Sequence, residues 1–174
     1  MLLNEAIDLI KNDLISNYQP EVWADLGCGS GMFTNALANL LSGGSKIFAV
    51  DKNKSQLNKI PDDVDNVKIA KIYGDFTRVK LPENIDGILM ANSLHYVKDK
   101  SSFIQNVGNK LKSNSSFLIV EYDMDTSNPW VPYPISYKSL QNFFRMMGYN
   151  IIYKINEIPS RFRRANIYSA VIKK

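Results

Sequence analysis

An apolar run, Val22-Trp23-Ala24-Asp25-Leu26, passes without a break into Gly27-Cys28-Gly29-Ser30-Gly31, and residues 32–41 then resume helical spacing. A strand, three alternate glycines and a helix in succession put a tight loop at a strand end, where the main chain can approach a ligand closely. A dinucleotide-binding fingerprint places its third glycine five residues after the first. That position here is Met32, and the loop has no phosphate-loop lysine. The spacing therefore disfavours both a nicotinamide dinucleotide and a nucleoside triphosphate.

Strand and helix patterns alternate along the rest of the chain. Helical spacing predicts helices over residues 2–16, 32–41, 54–60, 100–111 and 137–147. Apolar runs predict strands over 21–26, 46–50, 67–73, 87–91, 116–122, 150–158 and 167–174. Alternation of this kind implies parallel pairing through crossover helices that cover both sheet faces. No helix separates the last two strands, so these can pair antiparallel. The expected class is α/β: a three-layer α/β/α sandwich with a mostly parallel seven-stranded sheet and a C-terminal antiparallel hairpin.

A chain of 174 residues, 45% hydrophobic and 22% charged, fits one globular domain. Within it, residues 1–19 read as an N-terminal helix, 20–125 as a ligand-binding core, and 126–174 as a loop, helix and hairpin. One cysteine, Cys28, excludes an internal disulfide, and one histidine, His95, excludes a multi-histidine metal site. No metal is expected. No apolar stretch nears the ~20 residues of a membrane span, and Glu5 and Asp8 sit where a secretory signal would be basic and then apolar. A cytoplasmic protein without membrane contact is the expectation. Charge is uneven: residues 1–137 hold 13 Lys/Arg against 16 Asp/Glu, whereas residues 138–174 hold 8 against Glu157 alone. A basic segment of this kind is either a solvated edge or a surface for an anionic partner.

Residues 22–31 resemble the first motif of class I S-adenosylmethionine-dependent methyltransferases, and further motifs follow in that family's order. The resemblance implies a Rossmann-like sheet and S-adenosylmethionine as cofactor, released as S-adenosylhomocysteine. Asp51, 20 residues after Gly31, matches the acidic residue that clamps the ribose hydroxyls, a task suited to an acceptor-only carboxylate. Gly74-Asp75-Phe76 resembles the motif in which the aspartate accepts from the adenine amino group and the next residue offers its backbone N–H. Asp25 matches the acidic residue that orders the glycine loop and faces the cofactor's amino group. The cofactor-binding set is thus Asp25, Gly27, Cys28, Gly29, Gly31, Asp51, Lys52, Asp75, Phe76, Ala91 and Asn92. Cys28 reads as a small buried filler, not a nucleophile.

Met90-Ala91-Asn92-Ser93-Leu94-His95-Tyr96 resembles the segment that lines the methionine end and the acceptor. Its Ala-Asn-Ser-Leu lacks the Asp/Asn-Pro-Pro-Tyr/Phe pattern of enzymes that methylate exocyclic amines and amides. His95 is the candidate general base, since imidazole titrates near neutrality; the alternative is a histidine that fixes its loop. The Pro- and aromatic-rich loop 128–134 is expected over the acceptor, giving Ser93, His95, Tyr96, Trp130 and Tyr133 as acceptor-binding residues. Arg161, Arg163 and Arg164 suit a carboxylate or phosphate. The leading expectation is methyl transfer to a small molecule. The alternatives are an RNA or protein acceptor met by the basic C-terminal turn, or a cofactor-binding scaffold without turnover. An oligomer is compatible with the sequence but not required by it.

Overall fold

The structure is a computed structural model that describes residues 1–13, 15, 18–160 and 165–174. Its strands are β1 (Val22–Leu26), β2 (Lys46–Asp51), β3 (Asp63–Val64), β4 (Val67–Tyr73), β5 (Ile85–Ala91), β6 (Leu111–Tyr122), β7 (Ile151–Pro159) and β8 (Asn166–Lys173). Its helices are α1 (Leu3–Ile10), α2 (Met32–Ala38), α3 (Lys54–Leu57), α4 (Lys100–Gly108) and α5 (Tyr137–Met146). The strands form one sheet in the order β3-β4-β2-β1-β5-β6-β8-β7. From β4 to β6 neighbours are parallel; β8 runs antiparallel to β6, and β7 to β8.

Eight strands stand where seven are predicted. The additional one, β3, is half of a tight hairpin with β4, in which Val64 pairs with Val67. Asp65 and Asn66 between them have φ of 50° and 64°. Two successive left-handed residues make the turn whose twist matches paired strands, and Asp and Asn tolerate that conformation best after glycine. Helix α1 is shorter than its periodicity suggests. It closes at Ile10, where Lys11 turns extended (φ −62°, ψ 126°); positions 14 and 16 of the predicted helix lie outside the described residues.

Burial on the parallel strands alternates between two cores because successive side chains leave a strand on opposite faces. Ile88, Met90, Phe117 and Ile119 pack on one face with Phe103 and Ile104 of α4 and Leu140 and Phe144 of α5. Leu89, Leu118 and Val120 pack on the other with Leu9 and Ile10 of α1 and Phe33 and Leu37 of α2. The helices thus form two layers around the sheet. Helix α1 is tied down further by the C-terminal strands: the Ser169 hydroxyl donates to the Leu9 carbonyl, and Asn156 Nδ2 donates to the Asp8 carbonyl at 3.2 Å.

Sheet order reverses at β1, since the chain leaves it toward β2 and β4 on one side and reaches β5 and β6 on the other. The loops after β1 and β5 therefore diverge and open a crevice beyond the strand ends. Close contact of these two strands lower down depends on Gly87, the register partner of Trp23. A Cβ at Gly87 would stand 2.4 to 2.5 Å from three carbons of the Trp23 ring, and Trp23 is buried, with Nε1–H donating to Glu21 Oε2 at 2.7 Å. Gly87→Ala is expected to lower stability by about 3 kcal/mol, because the indole has no free space to retreat into. Urea denaturation followed by circular dichroism measures this, and a loss near zero would contradict the packing.

Candidate functional site

The crevice holds a cavity of about 270 Å³, walled by Asp25, Gly27, Cys28, Gly29, Ser30, Met32, Phe33, Ala91 and Asn92. Gly29 has φ +55°, and a Cβ built on it would meet nothing within 4 Å. The main chain there is bare toward open space, as a loop that a ligand approaches closely must be. Gly27, by contrast, is required by packing: its Cβ would stand 2.6 Å from Ser93 Cβ.

Asp51, at the end of β2, fixes this loop. Its Oδ2 accepts the Gly29 N–H at 2.8 Å and its Oδ1 accepts the Asn53 N–H at 2.7 Å. The N-cap of α3 is Asn53, whose side chain takes the Ser55 and Gln56 N–H groups, so Asp51 is free of the capping role its position would also allow. Each Asp51 oxygen keeps acceptor capacity beyond its one backbone bond. One strand further along, Gly74 N–H donates to the Asp51 carbonyl at 3.0 Å, which brings Asp75 to the same end of the sheet. Asp75 is exposed, and its Oδ1 takes the Thr77 N–H and hydroxyl at 2.9 and 2.7 Å. The Thr77 hydroxyl, then its N–H, hold the Asp75 carboxyl below its ordinary range. Phe76 stacks edge-on to Phe103 at 5.8 Å and its ring flanks Gly27. Lys52 is exposed beside Asp51.

Asp25 is 1% exposed. Its Oδ2 accepts the Thr34 hydroxyl at 2.6 Å, while its Oδ1 is buried with no hydrogen-bond partner. Burial raises its pKa from 3.8 to about 7, with a smaller contribution from the Asp51 charge and an opposing one from Thr34. Cys28 lines the same cavity, and burial, then the charges of Asp25 and Asp51, push its thiol far up. It stays protonated, which suits a filler and not a nucleophile.

Asn92 closes the other side. It has φ +53°, its N–H donates to the Val120 carbonyl at 2.8 Å, and its buried Oδ1 takes no hydrogen bond. Beyond it lies a larger cleft of about 850 Å³, which shares Met32, Phe33 and Asn92 with the first cavity and continues between α1, Tyr122 and the ends of β7 and β8.

Ser93 is buried, its hydroxyl donating to the Leu26 carbonyl at 2.6 Å, which ties the turn after β5 to β1. His95 is 2% exposed, with Nδ1 2.7 Å from Glu121 Oε2 and its N–H on Glu121 Oε1 at 3.1 Å. Tyr96 covers the His95 ring at 4.3 Å between centroids and is itself exposed. Loop 128–134 folds on itself through Asn128 Oδ1, which accepts the Trp130 and Val131 N–H groups, and Tyr133 N–H donates to the His95 carbonyl. Trp130 is 82% exposed. Ser93, His95, Tyr96, Trp130 and Tyr133 are not among the residues walling either cavity, and neither are Gly31, Asp51, Lys52, Asp75 and Phe76. Arg161, Arg163 and Arg164 lie outside the described residues.

Thr34, Glu121, Tyr122 and the cleft-facing residues of α1 are the residues that sequence reasoning passed over. Glu121 carried a usable signal, an acid inside the apolar run that begins at Phe117, since a charge buried in a central strand requires a partner. Thr34 and α1 carried none, because their roles depend on tertiary placement. Among the described residues there is no group of three or more His, Cys, Asp or Glu able to hold a metal ion, and no helix is long and apolar enough to cross a membrane.

A family model described as "Methyltransferase domain" matches residues 21–165. A curated relative, "Putative methyltransferase 235L" of Invertebrate iridescent virus 6, is 22% identical across 80% of this chain. The chain spans 59% of that relative's length. Among solved structures, the fold matches a SAM dependent methyltransferase from Aquifex aeolicus with a TM-score of 0.64 at 14% identity, covering all of both chains. It also matches the Burkholderia thailandensis 1,6-didemethyltoxoflavin-N1-methyltransferase, solved with 1,6-didemethyltoxoflavin and S-adenosylhomocysteine bound. There the TM-score is 0.73 at 16% identity, over 99% of this chain and 77% of that one.

The state of Asp25 sets a pH dependence. A carboxyl titrating at 3.8 when unfolded and at about 7 when folded keeps a proton that the unfolded chain gives up between those values. Stability therefore falls as pH rises from about 4 to about 7, by about 4 kcal/mol in all, and is flat above. Asp25→Asn removes this loss while keeping an acceptor for Thr34. The variant is expected to match the native protein near pH 4 and to exceed it in denaturant midpoint at pH 8; equal midpoints at pH 8 would contradict the assignment.

Proposed function

This chain belongs to the class I S-adenosylmethionine-dependent methyltransferases, and from that premise we propose that it transfers a methyl group to a small-molecule acceptor. The observation that carries the placement of the cofactor is the unpaired, buried Oδ1 of Asp25 on the wall of the glycine-loop cavity. A buried carboxylate oxygen without a donor is costly unless a ligand supplies one. The α-ammonium group of S-adenosylmethionine is such a donor, reaching Asp25 directly or through one water, and a nicotinamide dinucleotide has no counterpart to it. The bare main chain at Gly29 accommodates close approach, Asp51 takes the ribose hydroxyls with its remaining lone pairs, and Asp75 and Phe76 meet the adenine.

The cofactor, when bound, supplies a methyl carbon on a positively charged sulfur, which departs by in-line displacement. The residues of this chain then contribute position and dryness more than proton chemistry. Thr34 and Gly29 hold Asp25 and Asp51 in place, Cys28 fills the floor, and Met32 and Phe33 form an apolar wall shared with the adjoining cleft. His95 is a positioning residue in this reading, because it is buried against Glu121 and stands off both cavity walls. Bonded to Glu121 and capped by Tyr96, it fixes the turn that carries Asn92 and Ser93. The small-molecule acceptor is supported by the volume of the cleft, about 850 Å³, which is the size of an ordinary ligand pocket. The bound 1,6-didemethyltoxoflavin of the Burkholderia enzyme, on the same fold, is in keeping with it.

Isothermal titration calorimetry tests the cofactor assignment. S-adenosylmethionine and S-adenosylhomocysteine are expected to bind at micromolar concentration and NAD not at all. Asp51→Ala should weaken both by roughly tenfold or more, through the loss of two charge-assisted hydrogen bonds, with little change in the circular dichroism spectrum. Unchanged affinity in that variant would overturn the ribose assignment, and heat from NAD alone would overturn the cofactor.

A further inference from the structure

The cleft beyond Asn92 has a chemistry of its own. Its apolar surface comes from Met1, Met32, Phe33, Ile158, Pro159 and Ile167, and Tyr122 adds an aromatic side. Its charged groups, among the described residues, are Glu5 and Asp8 of α1 and the Met1 ammonium, which stands 3.9 Å from Glu5 Oε2 and offsets that charge, so that Asp8 leaves the cleft net negative. Asn92 lines both this cleft and the glycine-loop cavity, and its Oδ1 is buried with no hydrogen-bond partner, on a backbone held at φ +53°. A non-glycine residue kept in the left-handed region with an unsatisfied buried oxygen is the kind of local cost that persists at functional sites.

We propose that this cleft holds the methyl acceptor and that the acceptor is an amine on an apolar or aromatic body. The inference rests on the methyltransferase reading of the preceding subsection and adds the substrate class to it. An amine brings N–H donors to the Asn92 acceptor, and its conjugate acid is drawn in by the Asp8 carboxylate. The apolar body displaces water from Phe33, Met32 and Ile167. Near Asn92 Oδ1 the ammonium gives up a proton to water at the open mouth and the free amine remains hydrogen-bonded to that oxygen. The nitrogen lone pair then forms the N–C bond while the S–C bond breaks, its electron pair staying on sulfur. S-adenosylhomocysteine and the methylated ammonium are the products. Asn92 is the residue that orients the nitrogen, and Asp8 sets the preference for a cation.

Three molecules with one body and three heads test this: 2-phenylethylamine, 2-phenylethanol and 3-phenylpropionate, each titrated by ligand-observed NMR into the protein saturated with S-adenosylhomocysteine. The amine is expected to bind tightest and the carboxylate weakest. Asp8→Asn, an exposed change on the helix surface, should weaken the amine by roughly three- to fivefold, the scale of a single exposed ion pair, and leave the alcohol unchanged. An alcohol as tight as the amine, or an amine indifferent to Asp8→Asn, would overturn the assignment. A preference for the carboxylate would overturn it in favour of an anionic acceptor. Failure of S-adenosylhomocysteine itself to bind would overturn the preceding reading, whereas its binding without amine preference would sink this inference alone.

Discussion

The site depends on the position of β1 between strands that carry the chain away in opposite directions. Its two neighbours, β2 and β5, are both parallel to it, so the three C-terminal ends stand side by side while their loops part. A gap is unavoidable there, and the side chains that border it come from residues far apart in sequence. Asp25 and Asp51 belong to adjacent strands, Asn92 to the turn after the third. Backbone bonds close the remaining distance: Gly27 and Cys28 N–H groups both donate to the Val50 carbonyl, at 2.9 and 3.1 Å. The glycine loop is thereby folded back over the end of β2 and cannot drift into the gap.

Buried polar groups gather around that gap. Ser93 and His95 are buried and bonded, through Leu26 and Glu121 respectively. Asp25 Oδ1 and Asn92 Oδ1 are buried without a partner, and both border the same cavity. Folding alone would favour apolar atoms at these positions. Both residues line one cavity, and burial there raises the pKa of Asp25; such a pairing of cost and cavity is the pattern that binding sites show.

Much of this was legible before any coordinates. The glycine spacing, the acid at the end of β2 and the third acid at Asp75 are local signals, because strand ends and left-handed glycines leave their mark within a few residues. The central strands were legible for a similar reason: fully buried, they read as unbroken apolar runs. What was missed depends on packing. Composition suggests a lid at Trp130 and Tyr133, whereas the hydrogen bonds that shape that loop, at Asn128 and the His95 carbonyl, depend on tertiary placement. The cleft wall formed by α1 has no local signal at all, since it requires a helix early in the sequence to meet strands late in it. The hairpin Asp63–Val64 was lost because its turn residues, Asp65 and Asn66, were not read as a turn.

Helix α1 is fastened to the last strands by Asn156 and Ser169, so the outer wall of the cleft is assembled from the two flanks of the sequence. The glycine-loop cavity, by contrast, takes its walls from residues 25–33 and 91–92. A change in the flanks, helix and hairpin together, therefore reshapes the large cleft while leaving the central strands and their acids in place.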